Sequence, residues 1–130
     1  MHRFRTAWAL AAAAIAVFVL YESTRGSGDP TVPDVSTSAA YLGHFFLYAA
    51  LAFSVQTALY ARSLPAVALV AACVALYGGA LEAYQSTLSG RESSIFDALA
   101  NLLGAAAGAG IASALLQWWE RWLLEQARQG

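Results

Sequence analysis

The second half of the chain carries a set of polar residues whose types and spacing suit acid–base or anion-binding chemistry. They are Glu82-Ala-Tyr-Gln85, then Ser89-Gly90-Arg91, then Asp97-x3-Asn101-x2-Gly104. Glu82 and Asp97 are carboxylates that can take or give a proton, and Arg91 is a fixed cation. Gln85 and Asn101 are carboxamides that orient whatever the others hold. All of them interrupt sequence that is otherwise almost wholly apolar. A carboxylate or carboxamide at the end of an apolar helix is costly, so several within about twenty residues point to a site. Helical residues turn about 100° per position. Asp97, Asn101, Gly104 and Gly108 therefore share one stripe, and Gly78, Glu82 and Gln85 share another.

The elements that position these residues follow from composition. The chain has 130 residues, of which 59% are hydrophobic and 12% charged, with a mean hydropathy of +0.54. A soluble domain carries about 25% charged residues, and a single core of this size could not hide so much apolar sequence. The bilayer is the natural solvent for it. A net charge of −1 gives a nucleic-acid partner no electrostatic support. Cys73 is the one cysteine, which excludes a disulfide within the chain and a metal site built on clustered cysteines. It is expected to be a small buried hydrophobe. No nucleophile motif, P-loop or cofactor fingerprint is present.

Four apolar spans are predicted: from Phe4 or Ala7 to Tyr21, Ala39 to Tyr60, Leu64 to Tyr84 and Ile95 to Trp118. About 20 apolar residues cross the hydrocarbon core, so the reading is an all-α integral membrane protein of four transmembrane helices in a single domain, residues 1–130. The first span follows Arg3 and Arg5 like a signal peptide. It is read as a retained helix because no small-x-small cleavage site follows Leu20. Arg62-Ser-Leu-Pro65 is a short connection, so the second and third helices should form an antiparallel hairpin. Arg3, Arg5, Arg62, Arg121 and Arg128 fall on one side of the membrane, against Arg25 and Arg91 on the other. That bias predicts a multi-pass protein of the cell membrane with both termini in the cytoplasm. Residues 118–130, with Trp118, Trp119 and Trp122, are expected to form an amphipathic tail at the cytoplasmic interface.

This topology adds His44 and Tyr48, near the outer end of the second helix, to the set. Glu82, Gln85, Arg91, Asp97 and Asn101 lie at the same outer end, and no comparable cluster is expected on the cytoplasmic side. Each residue also has a plainer reading. Glu82 can pair with Arg91 or His44 for structure alone. Asp97 suits the positive end of its helix, and Ser93 or Ser94 is a candidate N-cap. Gly104 and Gly108 form a small-xxx-small stripe that suits packing within the chain, holding Asp97 and Asn101 next to the third helix, or alternatively a dimer face.

The ordered set resembles the VanZ-like family of small polytopic membrane proteins. The matching elements are Gly43-His44-Phe45-Phe46-Leu47-Tyr48, Tyr77-Gly78-Gly79-Ala80-Leu81-Glu82-Ala83-Tyr84-Gln85, Ser89-Gly90-Arg91-Glu92-Ser93-Ser94-Ile95-Phe96-Asp97 and Ala100-Asn101-Leu102-Leu103-Gly104-Ala105-Ala106-Ala107-Gly108. They cover about residues 40 to 110. Many members carry Asp-Lys shortly before the histidine. The stretch here reads Ser38-Ala-Ala-Tyr41, so that lysine, and any anion-holding role it has in the family, has no counterpart. The resemblance places the chain without assigning it a reaction.

The expected function is an outward-facing site that binds or processes a polar or phosphate-bearing head group of a lipid or envelope precursor. Glu82, Asp97 and His44 are the candidate acid–base residues, and Arg91, Asn101, Gln85 and Tyr48 the candidate binding residues. No cofactor is required. A divalent cation bridging Glu82, Asp97 and Asn101 is compatible with these oxygen donors. Two alternatives remain open: a non-catalytic protein whose polar cluster locks the helices, and a small transporter subunit.

Overall fold

The computed structural model describes residues 2–24, 37–87 and 95–129, and the following statements concern those residues. They form four helices and no strand: α1 (His2–Thr24), α2 (Thr37–Leu59), α3 (Leu64–Gln85) and α4 (Ile95–Gln129). All four are long and apolar enough to cross a membrane. Their outward surfaces are strongly apolar. Leu10, Val17, Leu64, Leu69 and Leu76 are each at least 65% exposed. Such a surface is unfavourable in water and ordinary against lipid tails. The protein is an all-α, four-helix membrane protein.

Successive helices run in opposite directions, so the start of α1, the α2–α3 turn and the second half of α4 share one end of the bundle. The end of α1, the start of α2, the end of α3 and the start of α4 share the other. These are termed the Arg62 end and the His44 end. The most extensive packing is between α2 and α4, although α3 lies between them in sequence. Small residues make this possible. Ala52, Ala105 and Ala109 are fully buried. A Cβ added at Gly104 would lie 2.2 Å from the Phe45 carbonyl oxygen, and one at Gly108 would lie 2.0 Å from that of Ala49. The small-residue stripe is thus filled within the chain, and by α2 rather than by the expected α3. Lipid tails supply no hydrophobic drive between helices, so close backbone approach and the dispersion it permits hold the pair together.

The turn after α2 is a Schellman motif. Tyr60 N–H donates to Thr57 O and Ala61 N–H to Gln56 O, with Tyr60 in the left-handed region at φ 56°. A glycine is usual at such a position. Here the Arg62 guanidinium sits 5.4 Å from the Tyr60 ring centroid, a cation–π contact that helps keep a tyrosine there. The Ser63 side chain then caps α3, accepting from Ala66 N–H, and Pro65 occupies the first turn.

A second polar cluster gathers around this turn, contrary to the expectation that the end would carry none. Fully buried Gln56 donates to Ala61 O at 2.8 Å. Ser113 and Gln117, one turn apart on α4, both donate to Arg62 O at 3.0 and 2.8 Å. Arg62 pairs with Glu120, and Arg5 Nε donates to Ala58 O at 2.9 Å. With the exception of the unpartnered Gln56 Oε1, this cluster spends its polar groups on turn carbonyls and on one ion pair. It is scaffold. Ser113→Ala and Gln117→Ala should each cost about 0.5–1.5 kcal/mol, the net worth of a typical hydrogen bond. Thermal melts in detergent check this, with ligand binding at the opposite end unchanged.

Residues 118–129 continue α4, which is unbroken to Gln129. Its 35 residues span about 52 Å at about 1.5 Å per residue, well beyond a hydrocarbon core of about 30 Å. No glycine or proline falls between Ile111 and Gln129 to stop it, and Leu, Gln, Glu, Arg and Ala all propagate helix well. Trp119 and Trp122 stack on its projecting part, with centroids 5.2 Å apart. Cys73 is exposed rather than buried. The spans carry no hydrophobic periodicity to separate core from lipid face, so its orientation could not be read from apolar neighbours.

Candidate functional site

At the His44 end three helices each deliver a titratable side chain to one place. His44 lies on the second turn of α2, Glu82 on the last turn of α3 and Asp97 on the first turn of α4. One ligand-capable atom from each lies within 4.8 Å of the other two. Glu82 is buried to 9% exposure, and Asp97 and His44 are partly buried. Asn101, one turn after Asp97 and on the same stripe, is only 1% exposed.

The His44 contacts are side chain to side chain, whereas most of those at the Arg62 end go to backbone carbonyls. Asn101 Oδ1 lies 2.9 Å from His44 Nδ1. A carbonyl oxygen can only accept, so the ring donates from Nδ1. The other ring nitrogen, Nε2, faces Asp97 Oδ1 at 3.8 Å. Two buried atoms here have no hydrogen-bond partner among the described residues: Asp97 Oδ1 and Asn101 Nδ2. Buried polar atoms are nearly always satisfied, so each such orphan calls for a physical cause.

Tyr48 forms the inner wall. It is 3% exposed, one turn below His44, and its ring lies nearly parallel to the imidazole at 6.4 Å. Gly78 makes room for it. A Cβ at position 78 would lie 2.6 Å from Tyr48 Cε1 and 2.9 Å from Asn101 Nδ2. Glycine is therefore needed where α3 crosses the floor of the site. Tyr41 and Phe96, with ring centroids 5.9 Å apart, join α2 to α4 at the rim. Below the site, Leu51, Ala52, Val74, Ala105 and Ala109 form a buried apolar band that separates it from the Arg62 end.

Of the seven candidates read from the sequence, His44, Tyr48, Glu82, Asp97 and Asn101 are gathered here. Gln85 is not engaged with them: its Nε2 donates to Ser23 O at 3.1 Å and ties α3 to the end of α1. Tyr77 serves the same helix pair by donating to Ala16 O at 2.7 Å. Arg91, Ser89, Gly90, Glu92, Ser93 and Ser94 lie outside the described residues. The residues overlooked in sequence are Gln56, Ser113 and Gln117. Gln56 carried a visible signal, since a carboxamide inside an apolar span is as costly as one at its end.

A site with an imidazole, two carboxylates and a carboxamide at the mouth of an apolar bundle can move protons, hold hydrogen-bond donors or ligate a cation. No curated protein and no solved structure matches the chain. A family model described as VanZ/LLP1 matches residues 4–117, reaching into all four helices and covering every residue of the site, and the chain belongs to that family.

Proposed function

We propose that the His44 end binds or processes a polar or phosphate-bearing head group of a lipid or envelope precursor. In this reading the end faces outward from the cell membrane and both termini are cytoplasmic. The arginine distribution supports that orientation: five arginines belong to the Arg62 end or the projecting termini. The observation that carries the reading is the convergence of His44, Glu82 and Asp97 from three helices within 4.8 Å, beside orphaned polar atoms that a bound ligand would satisfy. Glu82 or Asp97 serves as acid or base, and His44 is the second proton carrier. Asn101 and Tyr48 orient the groups. Arg91, from the sequence, is the cation for a phosphate.

A purely structural lock is the second reading, and the contrast between the two ends weighs against it. Ser113, Gln117 and Gln56 at the Arg62 end donate to backbone carbonyls, whereas His44 at the other end faces the side chains of Asn101 and Asp97, whose Nδ2 and Oδ1 have no partner among the described residues. A transport path through one chain is disfavoured by the packed apolar band between the two ends.

The test uses full-length protein in nanodiscs, with phosphatidic acid and diacylglycerol as probes read by native mass spectrometry. Wild type should retain phosphatidic acid in preference to diacylglycerol. Arg91→Ala and Arg91→Lys should both lose that preference, because a bidentate phosphate contact needs the planar guanidinium. Equal retention of both lipids by wild type, or an undiminished preference in Arg91→Ala, would overturn the phosphate reading.

A further inference from the structure

We infer that His44, Glu82 and Asp97 form a binding site for one divalent transition-metal cation, of the Zn²⁺ or Mn²⁺ type. The inference rests on the reading of this cluster as a functional site and names what occupies it.

Because Asn101 Oδ1 accepts from Nδ1 at 2.9 Å, a neutral imidazole turns a bare lone pair outward at Nε2. The atom it faces is Asp97 Oδ1, also an acceptor, buried and with no donor among the described residues. Two acceptors pointed at each other in a low-dielectric site repel, unless a cation lies between them. Either a proton on Nε2 or a metal ion could fill that role, and the distance separates the two. A charge-assisted N–H···O bond closes to about 2.7–2.9 Å, whereas Nε2 and Oδ1 stand 3.8 Å apart. Metal–nitrogen and metal–oxygen bonds of about 2.0–2.2 Å put two ligands of one ion roughly 3 to 4 Å from each other. The gap is longer than that hydrogen bond and within the span of two ligands of one ion.

Three features agree with this. Glu82 brings a third ligand atom within 4.8 Å of the other two, so a small side-chain rotation completes a three-residue set. The His44–Asn101 contact repeats the usual support of a metal-bound histidine, in which the second ring nitrogen donates to a fixed oxygen and thereby selects the tautomer. Asn101 is 1% exposed, and its Nδ2 has no partner. This leaves a donor beside the ion for an oxygen of a bound water or head group. The donor set restricts the metal. Imidazole nitrogen with carboxylate oxygens suits Zn²⁺ or Mn²⁺ better than Ca²⁺ or Mg²⁺, which prefer all-oxygen shells. Three protein ligands leave a position open, as in sites where the metal meets a substrate.

The experiment uses full-length protein in detergent micelles, stripped with EDTA, loaded with Zn²⁺ or Mn²⁺ in turn, desalted and measured by elemental mass spectrometry. Wild type and Cys73→Ser should each retain one ion per chain, and the melting temperature of wild type should rise with metal concentration. Asp97→Asn, which keeps shape and removes the anionic ligand, should lose retention. Asn101→Leu should weaken it by about 10–100-fold through the unsupported histidine. If wild type retains neither metal, or if Asp97→Asn retains as much as wild type, the metal site is overturned. Phosphatidic acid binding measured on the same metal-free and metal-loaded samples separates the two proposals. Lipid selectivity without metal retention removes only the metal, and metal retention without lipid selectivity removes only the head-group reading.

Discussion

Gly108→Ala should leave little folded protein. The added methyl carbon would sit 2.0 Å from the Ala49 carbonyl oxygen and 2.7 Å from its carbonyl carbon. Those atoms are backbone of the facing helix, so no side-chain rotation relieves the clash and α2 and α4 must move apart. Overpacking a core costs about 1–3 kcal/mol and sometimes more. A rigid neighbour puts this substitution at the upper end or beyond, and Gly104→Ala, against Phe45 O, should behave alike. Gly110 supplies the internal control, since a Cβ there meets nothing within 4 Å. Gly110→Ala should hold or raise stability, by up to about 1 kcal/mol from helix propensity. Monodispersity and melting temperature in detergent read all three. Equal behaviour of the Gly108 and Gly110 variants would contradict the close α2–α4 crossing.

Glu82→Gln and Asp97→Asn should separate binding from folding. If the carboxylates are kept for a ligand, each substitution removes a charge-assisted contact worth about 1.5–3 kcal/mol. Occupancy by the polar ligand should then fall about tenfold or more. The folded bundle should survive, because a carboxamide keeps the size and shape of either carboxylate and Asp97 Oδ1 has no hydrogen-bond partner among the described residues. The mirror-image outcome is expected at the other end of the molecule. There Gln117→Ala should lower stability and leave ligand occupancy untouched.

The contrast between the two ends also explains what could be read from the sequence. Glu82, Asp97 and Asn101 were legible because charged or amide groups at helix ends in lipid stand out, and because helical spacing fixes their faces. His44 joined them once the up-and-down order of the spans was clear. Gly104 and Gly108 announced a close approach, but a small-residue stripe does not say which neighbour fills it, and α2 rather than α3 does. Gln85 looked like Asn101 in sequence, yet it serves the α1 contact. A carboxamide satisfied by a distant carbonyl carries no mark of that partner. Gln56, Ser113 and Gln117 escaped for the same reason. They are uncharged, and their partners are turn carbonyls that any sequence would supply.

The central claim is that the cluster at the His44 end is retained for a ligand and not for stability. The melting temperature of metal-free Asp97→Asn in detergent tests it most directly. The asparagine can place a donor opposite the bare His44 Nε2, where wild type sets an acceptor 3.8 Å away. The account therefore predicts a melting temperature equal to wild type or higher, consistent with a gain of up to about 1 kcal/mol from one new hydrogen bond. If Asp97 instead forms half of a structural ion pair with a protonated His44, removing it strands a buried charge and costs about 3–5 kcal/mol. A fall in melting temperature of that size would contradict the account.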